Sequence, residues 1–159
     1  LFTVYQLRNN FYENYIYFIM ILIICVFSDI GGYTFGKIFK GPKLTKFSPN
    51  KTYSGMIGSY LFAIIATSLF FNNLDFFKNI GIQATSKEIT LVFLIFVLFV
   101  STISQLGDIM ISYFKRLSKI KDTGKIIPGH GGLLDRVDGM VFAFPFSYII
   151  LEINVFQYF

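Results

Sequence analysis

Four long apolar stretches alternate with short polar segments along the chain, and their lengths predict helices that cross a membrane. A spanning helix needs about 20 mostly apolar residues. The first stretch, YIYFIMILIICVFSDIGGYTF, covers residues 15–35, and the second, YSGMIGSYLFAIIATSLFF, covers 53–71. The third opens at Ile89 with ITLVFLIFVLFVSTIS and extends as a polar-faced helix through QLGDIMISYFKR. The fourth, GMVFAFPFSYIILEINVFQYF, covers 139–159. No internal repeat and no Ser/Pro-rich linker divides the chain. The pattern predicts an all-α fold, a polytopic transmembrane helical bundle joined by polar loops.

Composition sharpens this reading. Charged residues make up 14% of the chain, against about 25% in an ordinary soluble domain. Cys25 is the sole cysteine and lies in an apolar run, which excludes disulfides and thiolate metal sites within one chain. A formal net charge of +5 would suit nucleic acid. The basic residues are instead concentrated in two loops beside apolar segments, the pattern of membrane topology and of phosphate-bearing partners. Residues 37–51 hold Lys37, Lys40, Lys43, Lys46 and Lys51 without an acid, and residues 115–136 hold six more Lys and Arg. The positive-inside rule places both loops in the cytoplasm, with two spans between them, so the parity agrees. The segment NNLDFFKNIGIQATSKE is then external, as is Phe159. The chain starts at Leu1 rather than Met, and LFTVYQLRNN reads as the tail of an apolar segment before a polar loop. That opening leads to the expectation of further N-terminal sequence upstream, and no signal-peptide pattern is visible near Leu1.

Several polar groups do not suit a passive bundle. Asp29 lies near the inner end of the first span, before Gly31 and Gly32, and Asp108 follows the apolar core of the third. A carboxylate at bilayer depth costs roughly 2.5–3.5 kcal/mol on insertion scales, so it usually faces a polar cavity or a cation. Either Asp alone is also compatible with a solvated, idle position at the interface. Read as a helix, QLGDIMISYFKR places Gln105, Asp108, Ser112 and Lys115 on one face, which suggests a lined cavity. The plainer alternative is a helix end surfacing through the headgroups, with Lys115 and Arg116 as anchors.

The densest polar segment is KDTGKIIPGHGGLLDRVDG, residues 121–139. Asp135 and Asp138 stand three apart where a helix would begin, and such a pair, with one His and no Cys nearby, suits a hard cation such as Mg²⁺. Helix capping is the ordinary alternative for either residue alone. Arg136 offers a fork for phosphate oxygens. Gly129, Gly131 and Gly132 suit an anion-binding nest. His130 could donate to a phosphate, act as an acid or simply pin the turn.

These residues also resemble a known family. SYFKRLSKIKDTGKIIPGHGGLLDRVD, residues 112–138, closely resembles the signature of the phosphatidate cytidylyltransferases, also called CDP-diacylglycerol synthases. The matching elements are Ser112, Lys115 and Arg116, Lys121 and Asp122, Pro128, His130, Gly131 and Gly132, and Asp135, Arg136 and Asp138. Upstream, SDIGGYTFGKIFKGPKLTKFSPNKTYSG is similar to the family's Asp-x-Gly segment and to its Ser-Pro-x-Lys-Thr motif, here Ser48, Pro49, Lys51 and Thr52. One position departs: many relatives carry an acid where this chain has Ile111, which leaves metal binding to Asp108, Asp135 and Asp138. Family members are larger, with further spans toward the N-terminus, so residues 1–159 are expected to be a C-terminal catalytic transmembrane region.

The resemblance implies a reaction in which the lipid phosphate of phosphatidate attacks the α-phosphorus of CTP in line, giving CDP-diacylglycerol and pyrophosphate. It implies Mg²⁺ at Asp108 and Asp135, with Asp138 in support, and a second cation, such as K⁺, beside it. Lys51, Lys115, Arg116, Lys121 and Arg136 would pair with phosphates, with His130 among the catalytic group. Asp29, Ser48, Thr52, Ser112, Asp122, Gly131 and Gly132 fall to substrate binding, although Ser48 and Thr52 could equally cap the second span. The partners are CTP, phosphatidate and the lipid bilayer, not nucleic acid, and a homodimer is one assembly open to the chain. The setting is a bacterial inner membrane with the active site facing the cytoplasm. Two other readings stay open: a transporter or channel using Asp29 and Asp108 as an ion path, and a CTP-dependent lipid kinase.

Overall fold

The computed structural model describes residues 2–9, 16–45, 48, 51–72, 91–120 and 134–152. Among the described residues five helices carry the fold: α1 (Phe2–Asn9), α2 (Ile16–Phe39), α3 (Tyr53–Asn72), α4 (Leu91–Leu117) and α5 (Leu134–Glu152). Among the described residues the only extended pairing is an isolated antiparallel bridge between Lys43 and Thr52. Among the described residues three helical stretches are long and apolar enough to cross a membrane: Ile16–Phe39, Tyr53–Phe71 and Phe93–Leu117. In α5 the apolar part, Val137–Leu151, is shorter, and residues 153–159 of the fourth expected span lie outside the described residues.

Two surfaces organise the bundle. Inside, Ile21, Ile24, Phe96, Val97, Val100 and Ala143 form one buried cluster shared by α2, α4 and α5. Outside, α3 exposes Ile57, Leu61, Ile65 and Leu69 at four-residue intervals. Such a stripe would be a liability in water and is the expected surface against lipid tails. The opening residues form α1, with Leu7 buried in the same cluster and Val4 packed against it.

Helices α2 and α3 pack closest, and small residues permit it. Gly32 and Gly36 on α2 face Gly55 and Ser59 on α3, a small-xxx-small pattern on both helices. A Cβ on Gly55 would stand 2.7 Å from the Gly32 carbonyl oxygen, so no larger residue fits at this separation. Lipid tails supply little hydrophobic drive between helices, so polar contacts contribute to association. Ser28 and Ser101 share a buried 2.7 Å hydrogen bond between α2 and α4, Ser59 Oγ donates to the Ser28 carbonyl at 2.7 Å, and Tyr60 and Thr102 share one at 3.0 Å. The C-terminal ends of α2 and α4 and the starts of α3 and α5 gather at one end, through ion pairs from Lys51 to Asp108 and from Lys115 to Asp138. The described residues of both basic segments therefore lie at the same end of the bundle.

Candidate active site

At this basic end, an open cavity of about 300 Å³ is lined by four helices and the α2–α3 loop. A volume of this order falls within the usual range of small-molecule sites. Three carboxylates face it, from Asp29 on α2, Asp108 on α4 and Asp138 on α5. The periodicity of α4 explains why Gln105, Asp108 and Ser112 line the cavity together: residues three and four apart share a helix face. Lys115 extends that face and lies 3.8 Å from the Asp138 carboxylate.

The α2–α3 loop carries the main cation of the site. Leu44 N donates to the Lys51 carbonyl at 2.8 Å, Lys51 N donates to the Ser48 carbonyl at 3.1 Å, and Ser48 N donates to Thr45 Oγ1 at 3.1 Å. Thr52 then caps α3, its Oγ1 accepting from Gly55 N at 3.1 Å, which satisfies one otherwise unpaired amide of the first turn. With its backbone fixed in this way, Lys51 reaches across to α4. Its Nζ donates to Asp108 Oδ2 at 2.7 Å and to the Gln105 carbonyl at 3.3 Å.

Asp108 is the most constrained of the acids. Its side chain retains 13% of its exposure, and no hydrogen-bond partner among the described residues reaches its buried Oδ1. Gly139, at the start of α5, allows this arrangement. A Cβ there would lie 2.8 Å from Asp108 Oδ1 and 2.9 Å from the Ser104 carbonyl oxygen. The missing side chain lets α5 approach α4 and brings Asp138 beside Asp108. Asp138 Oδ1 also accepts from Gly139 N at 3.1 Å, which fixes the carboxylate at the helix start.

The fit of a divalent cation can be judged from these atoms. Adjacent carboxylates, one with a buried unbonded oxygen, supply hard oxygen donors of the type Mg²⁺ prefers. A buried acceptor without a partner is costly, and a cation would offset that cost. The donor chemistry fits. Among the described residues, however, no group of three His, Cys, Asp or Glu stands close enough to hold a metal. The side chains of Asp135 and Arg136 lie outside the described set, although their backbone belongs to the first turn of α5. Lys121, Asp122, His130, Gly131 and Gly132 lie outside the described residues altogether.

Of the other expected residues, Lys51, Thr52, Ser112 and Asp29 line the cavity, Ser48 contributes through its loop, and Arg116 is exposed and does not line it. Sequence reasoning missed Gly139, Ser59 and Tyr33. Tyr33 carried a signal, since it lies one helical turn beyond Asp29 and also lines the cavity. Gly139 carried none, because its role depends on Ser104 and Asp108 of α4, each more than 30 residues away in sequence.

The chain resembles known proteins along most of its length. The profile of the cytidylyltransferase family matches residues 1–154. A phosphatidate cytidylyltransferase of Staphylococcus aureus (strain COL) is 37% identical over 148 residues, which is 92% of this chain and 52% of that protein. Those of Bacillus subtilis (strain 168) and Rickettsia conorii are 34% and 40% identical over 149 and 127 residues, covering 93% and 79% of this chain and 52% of each relative. The chain thus spans about half the length of the curated relatives it matches.

Proposed function

The chain belongs to the cytidylyltransferase family, and from that premise we propose that its cavity is where the cytidylyl group of CTP passes to phosphatidate, giving CDP-diacylglycerol and pyrophosphate. The observation that carries this reading is the convergence of Asp29, Asp108 and Asp138 with Lys51 in one open cavity at the basic end of the bundle. Two polyanions must meet for this reaction, so managing charge is the first requirement.

Lys51 and Lys115 bring positive charge to the cavity and its edge, where they would neutralise phosphate oxygens. Asp108 and Asp138 would hold Mg²⁺, with Asp135 available from the same first turns of α5. That ion, when bound, supplies charge stabilisation for the attacking and leaving phosphate oxygens. The attacking oxygen belongs to the lipid phosphate, so this site needs no activated Ser or Cys of its own. What the protein contributes is alignment, and holding both phosphates in line lowers the barrier by removing translational freedom. The basic end is the cytoplasmic end on this reading, where a soluble nucleotide can meet a lipid headgroup whose acyl chains stay along the apolar flank of the helices.

Radiolabelled CTP incorporation into lipid by the purified protein in detergent tests this directly. The expected result is phosphatidate-dependent labelled CDP-lipid with stoichiometric pyrophosphate, abolished by chelation and restored by added Mg²⁺. Formation of CDP and a newly phosphorylated lipid would instead identify a kinase, and no nucleotide turnover at all would contradict both.

A further inference from the structure

We propose that Lys51 is an exchangeable internal counter-cation: its ammonium occupies the Asp108 carboxylate until a divalent ion and triphosphate arrive, and then transfers to phosphate oxygens. This inference rests on the reading of Asp108 as a cation ligand, and it adds an order to how the site fills.

The first support is the geometry of the pair. Lys51 Nζ sits 2.7 Å from Asp108 Oδ2, while the neighbouring Oδ1 is buried and unbonded among the described residues. An ammonium bonded to Oδ2 and a divalent ion drawn to the same carboxylate compete for one small space. The second is charge balance. Among the described residues three carboxylates line the cavity, against the ammonium of Lys51 on its wall and that of Lys115 at its edge beside Asp138. Two ammoniums leave one carboxylate uncompensated, and a +2 ion in the place of Lys51 would balance the wall better.

The third support is how Lys51 is mounted. Its backbone is fixed by Leu44 and Ser48, whereas its ammonium is held by two hydrogen bonds, to Asp108 and to the Gln105 carbonyl. Lysine is a compact charge on a flexible four-carbon stem, so it can leave a carboxylate without any backbone movement. Its side chain keeps 27% exposure toward the cavity, which leaves it room to swing.

The consequence has an unusual sign. Lys51 should weaken binding of a bare divalent ion, because the ion must displace it. It should strengthen binding of the ion with nucleotide, because the displaced ammonium then gains phosphate partners. Cation and nucleotide are thereby coupled through one side chain, and couplings of this kind are roughly 5–150-fold.

Titration of Mn²⁺ against the purified protein, read from the electron paramagnetic resonance of the free ion, tests this. K51M should bind Mn²⁺ alone about 5–150-fold more tightly than wild type, and CTP should no longer tighten that binding as it does in wild type. K37M removes an exposed charge that contacts Tyr33 rather than an acid, and should match wild type; an equal tightening there would reduce the effect to general electrostatics and overturn the exchange. Unchanged or weaker Mn²⁺ binding by K51M overturns the exchange and leaves the cation reading of Asp108 intact. Mn²⁺ binding by neither wild type nor K51M above the level of D108N overturns both. Should K51M fail to fold, amine acylation of the wild type decides: labelling at Lys51, read by mass spectrometry, should rise several-fold on adding Mn²⁺ and CTP's absence should not prevent it, while labelling that stays constant overturns the proposal.

Discussion

An Asp108→Asn chain is expected to fold and to lose cytidylyl transfer by on the order of 10²–10³-fold, the scale reached when one preorganised electrostatic group is removed from an active site. Asn keeps the shape of the side chain and can still accept a hydrogen bond from Lys51, so helix packing should survive. What it loses is the negative charge that would draw a cation to the buried Oδ1. The measurement is the rate of CDP-diacylglycerol formation beside a detergent melting curve. Near wild-type turnover in a folded Asp108→Asn protein would remove this carboxylate from the chemistry.

The second large effect is expected from a residue with no functional group. In Gly139→Ala the added methyl would lie 2.8 Å from Asp108 Oδ1 and 2.9 Å from the Ser104 carbonyl oxygen. Neither neighbour can yield cheaply, since one is a buried carboxylate and the other is helix backbone, so α5 must move away from α4. Overpacking of this kind costs about 1–3 kcal/mol. Displacement of Asp108 relative to Asp138 is the larger consequence, because a shift of about 1 Å among positioned groups can lower turnover by 10²-fold. Gly139→Ala should therefore lose roughly 10²-fold in turnover with only a modest fall in melting temperature. Ala143→Gly, one turn further along the buried face of α5, should lose stability but retain turnover. Equal turnover in the two variants would show that Gly139 is ordinary packing.

The contrast between these residues shows what a sequence of this type reveals. Its spans were legible because twenty apolar residues in a row have few other uses. Expected starts at residues 15, 53 and 89 became helix starts at Ile16, Tyr53 and Leu91. The shared face of Gln105, Asp108 and Ser112 was legible for a related reason: polar groups at helical spacing stand out on an apolar background. The start of α5 was less so. The apolar span was expected from Gly139, but the helix begins at Leu134, where the spacing of Asp135 and Asp138 marks a helix start. Acids are favoured in such turns by the helix dipole.

The contacts that assemble the site were not legible without the family resemblance. Lys51 and Asp108 are 57 residues apart, and Ser28 and Ser101 are 73 apart. Neither pair leaves a local pattern, because which residues meet depends on how helices pack, and that packing depends on small residues on α2, α3 and α5. Thr52 illustrates a choice the sequence left open, between phosphate contact and helix cap. It caps α3, and it also lines the cavity.

On the proposed reading the carboxylates of Asp108 and Asp138 receive a divalent cation together with the triphosphate of a nucleotide. A structure of the protein with Mn²⁺ and a non-hydrolysable CTP analogue, with the ion located by its anomalous scattering, tests it most directly. The expected result is an Mn²⁺ signal beside these two side chains and the phosphates, with the Lys51 ammonium on a phosphate oxygen. An ion and nucleotide bound away from both carboxylates would contradict it.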